Sequence, residues 1–177
     1  MISRKLYSIV PIICLTMISI VLFGTERTNA QTTVRIGTFD SRAVAIVYCN
    51  SKYFKSSMEP LMAQMKTAKE KDDKKTITKI EREGSLRQTM MHEQGFGTGS
   101  ISGIIETVKD KIAVLAKDEN FTAIVSKWEL VYGGADVELV DITEKIAAFF
   151  EPNDRMKEMI KEVLESEPIK DAYLIED

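Results

Sequence analysis

The fold is decided by the stretch Thr33-Val34-Arg35-Ile36-Gly37-Thr38-Phe39. Its side chains alternate, which predicts a β-strand. Asp40 and Ser41 follow as candidate helix N-caps, because their side-chain oxygens can accept hydrogen bonds from the free amides of a first helical turn. The next strand candidates lie more than eighty residues further on, at 121–126 and 128–132, with a brief third piece at 137–140. The intervening helices must therefore form an excursion from a small sheet.

This order predicts an α+β fold for one domain over residues 31–164. We expect a small, mostly antiparallel sheet in which the N-terminal strand pairs with the C-terminal strands, a helical excursion over about 41–117, and C-terminal helices. Residues 141–144 resemble a capping box that opens one of these helices. Asn153 or Asp154 follows Pro152 and caps the next helix. Residues 165–177 are acidic and are predicted to form a mobile tail.

The excursion has two parts. Met58, Leu61, Met62 and Met65 keep helical spacing, Asp72-Asp73 interrupts it, and the pattern resumes from Lys74. This predicts a long charged helix pair or one kinked helix. Residues 52–94 carry ten basic and seven acidic side chains, a net charge of +3. Such a charge pattern indicates either an ordinary solvated face or a basic limb that approaches anionic or unfolded clients. The methionines fill a helix seam or form an adaptable apolar surface.

Residues 1–30 have the composition of an export signal. Arg4 and Lys5 precede an apolar run from Leu6 to Phe23, and the segment ends Thr28-Asn29-Ala30. A basic start, an apolar middle and small residues before the cut predict a cleaved signal peptide and a periplasmic or otherwise exported protein. The alternative is an uncleaved membrane anchor, since the apolar run approaches the ~20 residues that span a bilayer. After cleavage, no stable membrane insertion is expected.

Composition excludes several function classes. Without residues 1–30, the chain has 21 Lys and Arg against 26 Asp and Glu, a net charge of −5. Nucleic-acid binding, which needs a basic footprint, is therefore disfavoured. Cys49 is then the only cysteine and His92 the only histidine, so neither an intrachain disulfide nor a His/Cys metal cluster is expected. The loop Gly95-Phe96-Gly97-Thr98-Gly99 lacks dinucleotide-loop spacing and indicates a sharp connection or, less favoured, an anion site.

Two segments resemble the Skp/OmpH-like family of periplasmic chaperones. The first is Ile36-Gly37-Thr38-Phe39-Asp40-Ser41-Arg42-Ala43-Val44, which is similar to the opening strand and first helix of that family. The second comprises Phe121 to Tyr132, Ala135-Asp136-Val137 and the step Val140-Asp141-Ile142-Thr143-Glu144-Lys145-Ile146. The likeness covers about forty residues. The acidic balance, the glycine loop and the extension over 151–177 depart from the family pattern.

The resemblance implies a homotrimer formed through the sheet, with helical arms that enclose unfolded outer-membrane proteins without ATP. We therefore expect a non-enzymatic chaperone without a cofactor. The alternative is an envelope scaffold of the same fold that binds one protein partner and has no chaperone activity. The candidate client-binding residues are Lys66, Lys69, Lys71, Lys74, Lys75, Lys79, Met62 and Met65. The candidate oligomer-interface residues are Trp128, Tyr132 and Ile36, and a dimer is the alternative assembly.

Overall fold

The computed structural model describes residues 33–175; the predicted signal segment lies outside them. Three strands form one sheet: β1 (Val34–Phe39), β2 (Ala123–Ser126) and β3 (Val137–Asp141). Strand β1 is central, and both neighbours run parallel to it, with Ile36 opposite Ala123 on one side and Leu139 on the other. The α+β class and the pairing of β1 with distant C-terminal strands are confirmed. The predicted antiparallel arrangement is wrong.

The error arises in the segment after β2. Residues 128–132, predicted as a strand, form a turn and irregular backbone. Because β2 and β3 lie on opposite sides of β1 and run in the same direction, residues 127–136 form a crossover instead of a hairpin. Val131 is 98% exposed and Tyr132 83% exposed on this crossover. The apolar residues of 128–132 therefore belong to a surface connection and not to a strand, and the Trp128 side chain turns inward.

Residues 33–175 also form seven helices: α1 (Ser41–Cys49), α2 (Lys52–Glu70), α3 (Lys74–Gly95), α4 (Ser102–Glu106), α5 (Lys109–Asp118), α6 (Thr143–Ala148) and α7 (Asp154–Leu164). A short 3₁₀ turn spans Ala172–Leu174. Helices α2 and α3 form an antiparallel hairpin, so the helix pair is confirmed over the kinked single helix. Asp72 has a φ of 48° at the bend, and the Asp73 side chain caps α3 by accepting from Thr76 N.

Two local predictions fail for identifiable reasons. The apolar pattern of 101–117 predicts one helix, but the backbone breaks between α4 and α5, and the Thr107 hydroxyl donates to the carbonyl of Ile104. The expected capping box at the start of α6 forms only in part: Asp141 Oδ1 accepts from Thr143 N at 2.8 Å, but Ile142 is the N-cap residue and has no side-chain cap bond. The Thr143 hydroxyl instead accepts a hydrogen bond from the amide of Asp40, 2.9 Å away. Its side chain ties α6 to the end of β1.

The core lies on one face of the sheet. Helix α1 is enclosed by α3, α6 and α7, and the side chains that pack together there include Phe39, Val44, Ile104, Ile146 and Phe150. Gly37 is necessary at its position in β1, because a Cβ there would lie 2.7 Å from Cδ1 of Ile142 and 3.2 Å from Cγ1 of Ile124. The core face of the sheet therefore has no room for a side chain at its centre.

The C-terminal segment predicted as a free tail packs against the end of α3. Ile169 N donates to the carbonyl of Phe96 at 2.8 Å, and Tyr173 N donates to a carboxylate oxygen of Glu93 at 2.7 Å. Ala172 is fully buried. The acidic side chains of this segment predicted a solvated tail. The segment packs because its backbone amides and the small Ala172 side chain, and not its charged side chains, make the contacts with α3.

Candidate functional site

The α2–α3 hairpin carries a groove of about 550 Å³. Its apolar lining comes from Leu61, Met62, Met65 and Ile80, and Gly84 leaves open space on the α3 side. Met62 is 67% exposed, so the groove faces solvent. Lysines and glutamates from both helices complete the wall: Lys66, Lys69, Glu70 and Glu81. Four of the eight predicted client-binding residues are therefore brought together in one groove.

The other four predicted lysines lie around the bend of the hairpin. Lys71 belongs to the bend itself, and Lys74, Lys75 and Lys79 belong to the first turns of α3. All six lysines are exposed, and none forms an ion pair with any of residues 33–175. Their charge is therefore available to a partner, at the end of the hairpin distant from the sheet.

A second cluster of charged groups is buried at the carboxyl end of β1. Asp40 and Arg42 are 0% and 2% exposed, and Arg42 Nη2 donates to Asp40 Oδ2 at 2.8 Å. Lys127 Nζ approaches the same oxygen at 2.9 Å, and Trp128 Nε1 donates to Oδ1 at 3.1 Å. We call Asp40, Arg42, Lys127 and Trp128 the charge cluster. Both cations also contact the Trp128 ring, whose centroid is 4.9 Å from the Arg42 guanidinium carbon and 4.5 Å from Lys127 Nζ.

The charge cluster also holds the end of α7. Arg42 Nη2 donates to the carbonyl oxygens of Val163 and Ser166, each at 2.9 Å. The last carbonyls of a helix have no partner within the helix, so Arg42 supplies one from the core. A single side chain therefore connects β1, the crossover and the C-terminal helix.

The pKa and the hydrogen bonds of Asp40 are those of a carboxylate that stabilises the fold. Burial alone raises the pKa of this carboxyl, but hydrogen bonds from Arg42, Lys127 and Trp128 outweigh burial and lower the pKa from 3.8 to about 2. Its two oxygens accept from the Arg42 amide, two guanidinium nitrogens, Lys127 and the indole. A carboxylate offers about four acceptor positions. These positions are all occupied by donors of the protein, so Asp40 holds the charge cluster together and stabilises the fold.

The residues expected at an oligomer interface are separated. Ile36 is half-buried on the sheet face opposite the core, Tyr132 lies exposed on the crossover, and Trp128 belongs to the charge cluster. The face that carries Ile36 also bears Val34, Val125, Val137 and Leu139, by strand alternation and register. None of these side chains joins the core cluster, and Leu139 is 48% exposed. We call this surface the open sheet face.

The single histidine and the glycine loop both have packing roles. A Cβ at Gly99 would lie 3.0 Å from the backbone of Glu93, and one at Gly97 would lie 3.2 Å from Cβ of Ala172. The loop is therefore glycine-rich because it folds back onto the last turn of α3. His92 Nδ1 is 3.2 Å from the carbonyl oxygen of Ile175. Burial raises the pKa of the half-buried Cys49 thiol, which lowers its reactivity.

Residues 33–175 contain neither a candidate metal centre nor a candidate membrane span. No group of three or more His, Cys, Asp or Glu side chains in this part of the chain is placed to hold a metal ion. None of its helices is both long enough and apolar enough to cross a bilayer.

The chain matches no protein-family model, no curated protein and no solved structure. The resemblance to the Skp/OmpH-like family therefore stays a hypothesis that depends on the residues quoted above.

Proposed function

We propose that this protein is an exported, non-enzymatic holdase that binds unfolded polypeptides, with unfolded outer-membrane proteins as the client class that the Skp/OmpH resemblance implies. The observation that carries the proposal is the groove on the α2–α3 hairpin. It places two methionines next to Lys66 and Lys69, which form no ion pair with any of residues 33–175. Binding without ATP requires only such a surface.

The chemistry of the groove suits variable clients. Methionine side chains are flexible and polarizable, so they adapt to apolar side chains of different shapes. Lys66 and Lys69 stand beside them and attract acidic stretches of an extended chain. Helices of 19 and 22 residues are about 28 and 33 Å long. The hairpin is thus long enough to contact a client at several points.

The test is suppression of aggregation of a denatured outer-membrane β-barrel protein, followed by light scattering. Gly84→Leu should abolish most of the suppression, because its side chain would enter the groove, where a Cβ at Gly84 meets nothing within 4 Å. Gly84→Ala is the matched control, since it adds one methyl group and should retain suppression. No suppression by the unsubstituted protein at any ratio would overturn the proposal.

Self-association is the second part of the proposal. The open sheet face exposes apolar side chains, and both outer strands leave unpaired edges that invite pairing with another chain. A trimer closed around this face would cover it, with a dimer as the alternative. Leu139→Lys should shift the protein to monomer in native mass spectrometry. Val114→Lys, at an exposed valine on α5, should leave the subunit number unchanged. A monomer at micromolar concentration without substitution would contradict the assembly.

A scaffold that binds one envelope partner is the competing function. The observation that favours it is the packed C-terminal segment, which connects α7 to the base of α3 and restrains the hairpin. A pull-down from the cell envelope distinguishes the two functions. Many unfolded proteins would support the holdase, and one stoichiometric partner would support the scaffold.

Export is a separate part of the proposal, supported by the composition of residues 1–30, and needs its own measurement. Intact mass of the purified protein should correspond to a chain that begins at Gln31. A mass that includes residues 1–30 in the membrane fraction would instead indicate an uncleaved anchor.

A further inference from the structure

A separate cavity of about 130 Å³ lies at the carboxyl ends of β1 and β2. Phe39, Ile101 and Ile105 form its apolar side. Its polar side consists mainly of hydroxyl groups, among them those of Ser41 and Ser126, and one carboxylate, Glu129. The folded-back glycine loop closes it through Gly99. Ligands of open parallel sheets bind in crevices at this same edge, and the hairpin groove is lined by entirely different residues.

Ser41 is the residue that marks the cavity as a site. It is 3% exposed, lines the cavity, and its hydroxyl makes no hydrogen bond with any of residues 33–175. No fully enclosed side-chain polar atom in this part of the chain lacks a partner. Because the Ser41 hydroxyl has no partner in this part of the chain, it is not fully enclosed. It must reach open space, and the cavity that Ser41 lines is that space. A buried hydroxyl without a protein partner needs one from water or a ligand.

Two further groups define the chemistry. Ser126 is 7% exposed and accepts only a long hydrogen bond of 3.4 Å from Trp128 N, so its proton remains to be donated. Glu129 is exposed at the rim, and its carboxylate has no partner within the described chain. Serine hydroxyls both donate and accept, whereas a carboxylate accepts only. The site therefore offers mixed hydrogen-bonding groups opposite an apolar wall.

We propose that this cavity binds a small neutral polyol, of which the edge of a sugar ring is the type. Each hydroxyl of a polyol donates and accepts, matching the two serines, and can donate to Glu129. The C–H face of such a molecule packs on Phe39 and Ile101. Glu129 is the only charged side chain that lines the cavity, so an anion such as phosphate is repelled. One carboxylate falls short of the six to eight oxygen ligands of a calcium site.

The experiment is a binding titration of the full exported protein with glycerol, D-ribose, D-glucose and inorganic phosphate, followed by saturation-transfer NMR and calorimetry. We expect saturable binding of at least one polyol with a Kd of the order of millimolar, and none of phosphate. Ser41→Ala and Glu129→Gln should each weaken that binding about fivefold or more. Ser57→Ala, a serine on α2 that donates only within its own helix, should not change it.

Three outcomes overturn the proposal: no saturable polyol binding, binding of phosphate in preference to polyols, or polyol binding that is indifferent to both substitutions. If Ser41→Ala does not fold, Glu129→Gln decides alone, because the exposed Glu129 side chain makes no bond on which the fold depends.

Discussion

The charge cluster and the hairpin groove use the same residue types in opposite ways. In the charge cluster, two cations and an indole all point at one buried carboxylate, and each of the three is ion-paired or hydrogen-bonded to it. On the hairpin, the six lysines form no ion pair with any of residues 33–175, and Met62 and Leu86 are more than half exposed. We call the described chain outside the α2–α3 hairpin the body. Buried charge in the body stabilises the fold, whereas exposed charge on the hairpin remains available for binding.

Asp40→Asn should have the largest effect on stability. The amide nitrogen of asparagine would face donors from Arg42 and Lys127, which leaves the buried Arg42 and the partly exposed Lys127 without a counter-charge. Breaking a buried ion pair in this way costs about 3–5 kcal/mol. Urea unfolding followed by fluorescence measures this directly, because Trp128 is the only tryptophan and lies inside the charge cluster.

The matched control is Lys52→Gln, which removes an exposed ion pair of 2.7 Å with Glu151. Since exposed pairs contribute little, this variant should unfold at the same urea concentration as the unsubstituted protein. If Asp40→Asn also unfolds at that concentration, the charge cluster is not the structural element that we infer.

Much of the body could be predicted from sequence, because its signals are local. Alternation marks β1, and Asp40 and Asn153 cap their helices as expected. Strand direction was not predictable in the same way. The apolar residues of 128–132 match a strand in pattern, but the hydrogen bond of Trp128 to Asp40 spans 88 residues and determines the conformation there. Local pattern contains no information about such a contact.

The charge cluster was missed for the same reason. Its members directly follow strands: Asp40 and Arg42 after β1, and Lys127 and Trp128 after β2. The carboxyl ends of parallel strands meet at one edge, so this spacing would have predicted the cluster from a parallel sheet. An antiparallel sheet places those ends apart. The hairpin groove was predictable because helical spacing alone places Met62, Met65, Lys66 and Lys69 along one helix.

Acid should weaken the body by about 2.5 kcal/mol through Asp40 alone. Its pKa is lowered from 3.8 to about 2 on folding, and each unit corresponds to about 1.4 kcal/mol. A depressed pKa contributes stability that is complete above about pH 4 and is lost as the pH falls toward 2. The measurement is the free energy of unfolding of the protein and of Asp40→Asn at several pH values. The difference between them should shrink below pH 4; a constant difference would contradict the low pKa.

A smaller change in stability, this time an increase, is expected from a substitution on the hairpin. Gly84→Ala should raise the free energy of unfolding by up to about 1 kcal/mol, because alanine is the better helix former and its Cβ meets nothing within 4 Å. Gly37→Ala is the contrasting substitution, since its Cβ would lie 2.7 Å from Ile142 in the core, and it should destabilise the protein. Equal effects of the two variants would mean that the hairpin is packed as tightly as the body.

The smallest expected change in stability comes from replacing all six hairpin lysines with glutamine. None of the six forms an ion pair with any of residues 33–175, so no ion pair is lost and the melting temperature should change by no more than about 2 °C. Capture of an unfolded client should nevertheless slow, since exposed charge mainly accelerates association. Raising salt should slow capture by the unsubstituted protein in the same way, because screening shortens the reach of charge to ~8 Å at physiological ionic strength.

Lys127→Gln in the charge cluster is the matched single substitution: it should lower the melting temperature and leave the salt dependence of capture intact. If capture is indifferent to both salt and the six substitutions, the lysines do not steer clients, and the apolar groove alone must account for binding.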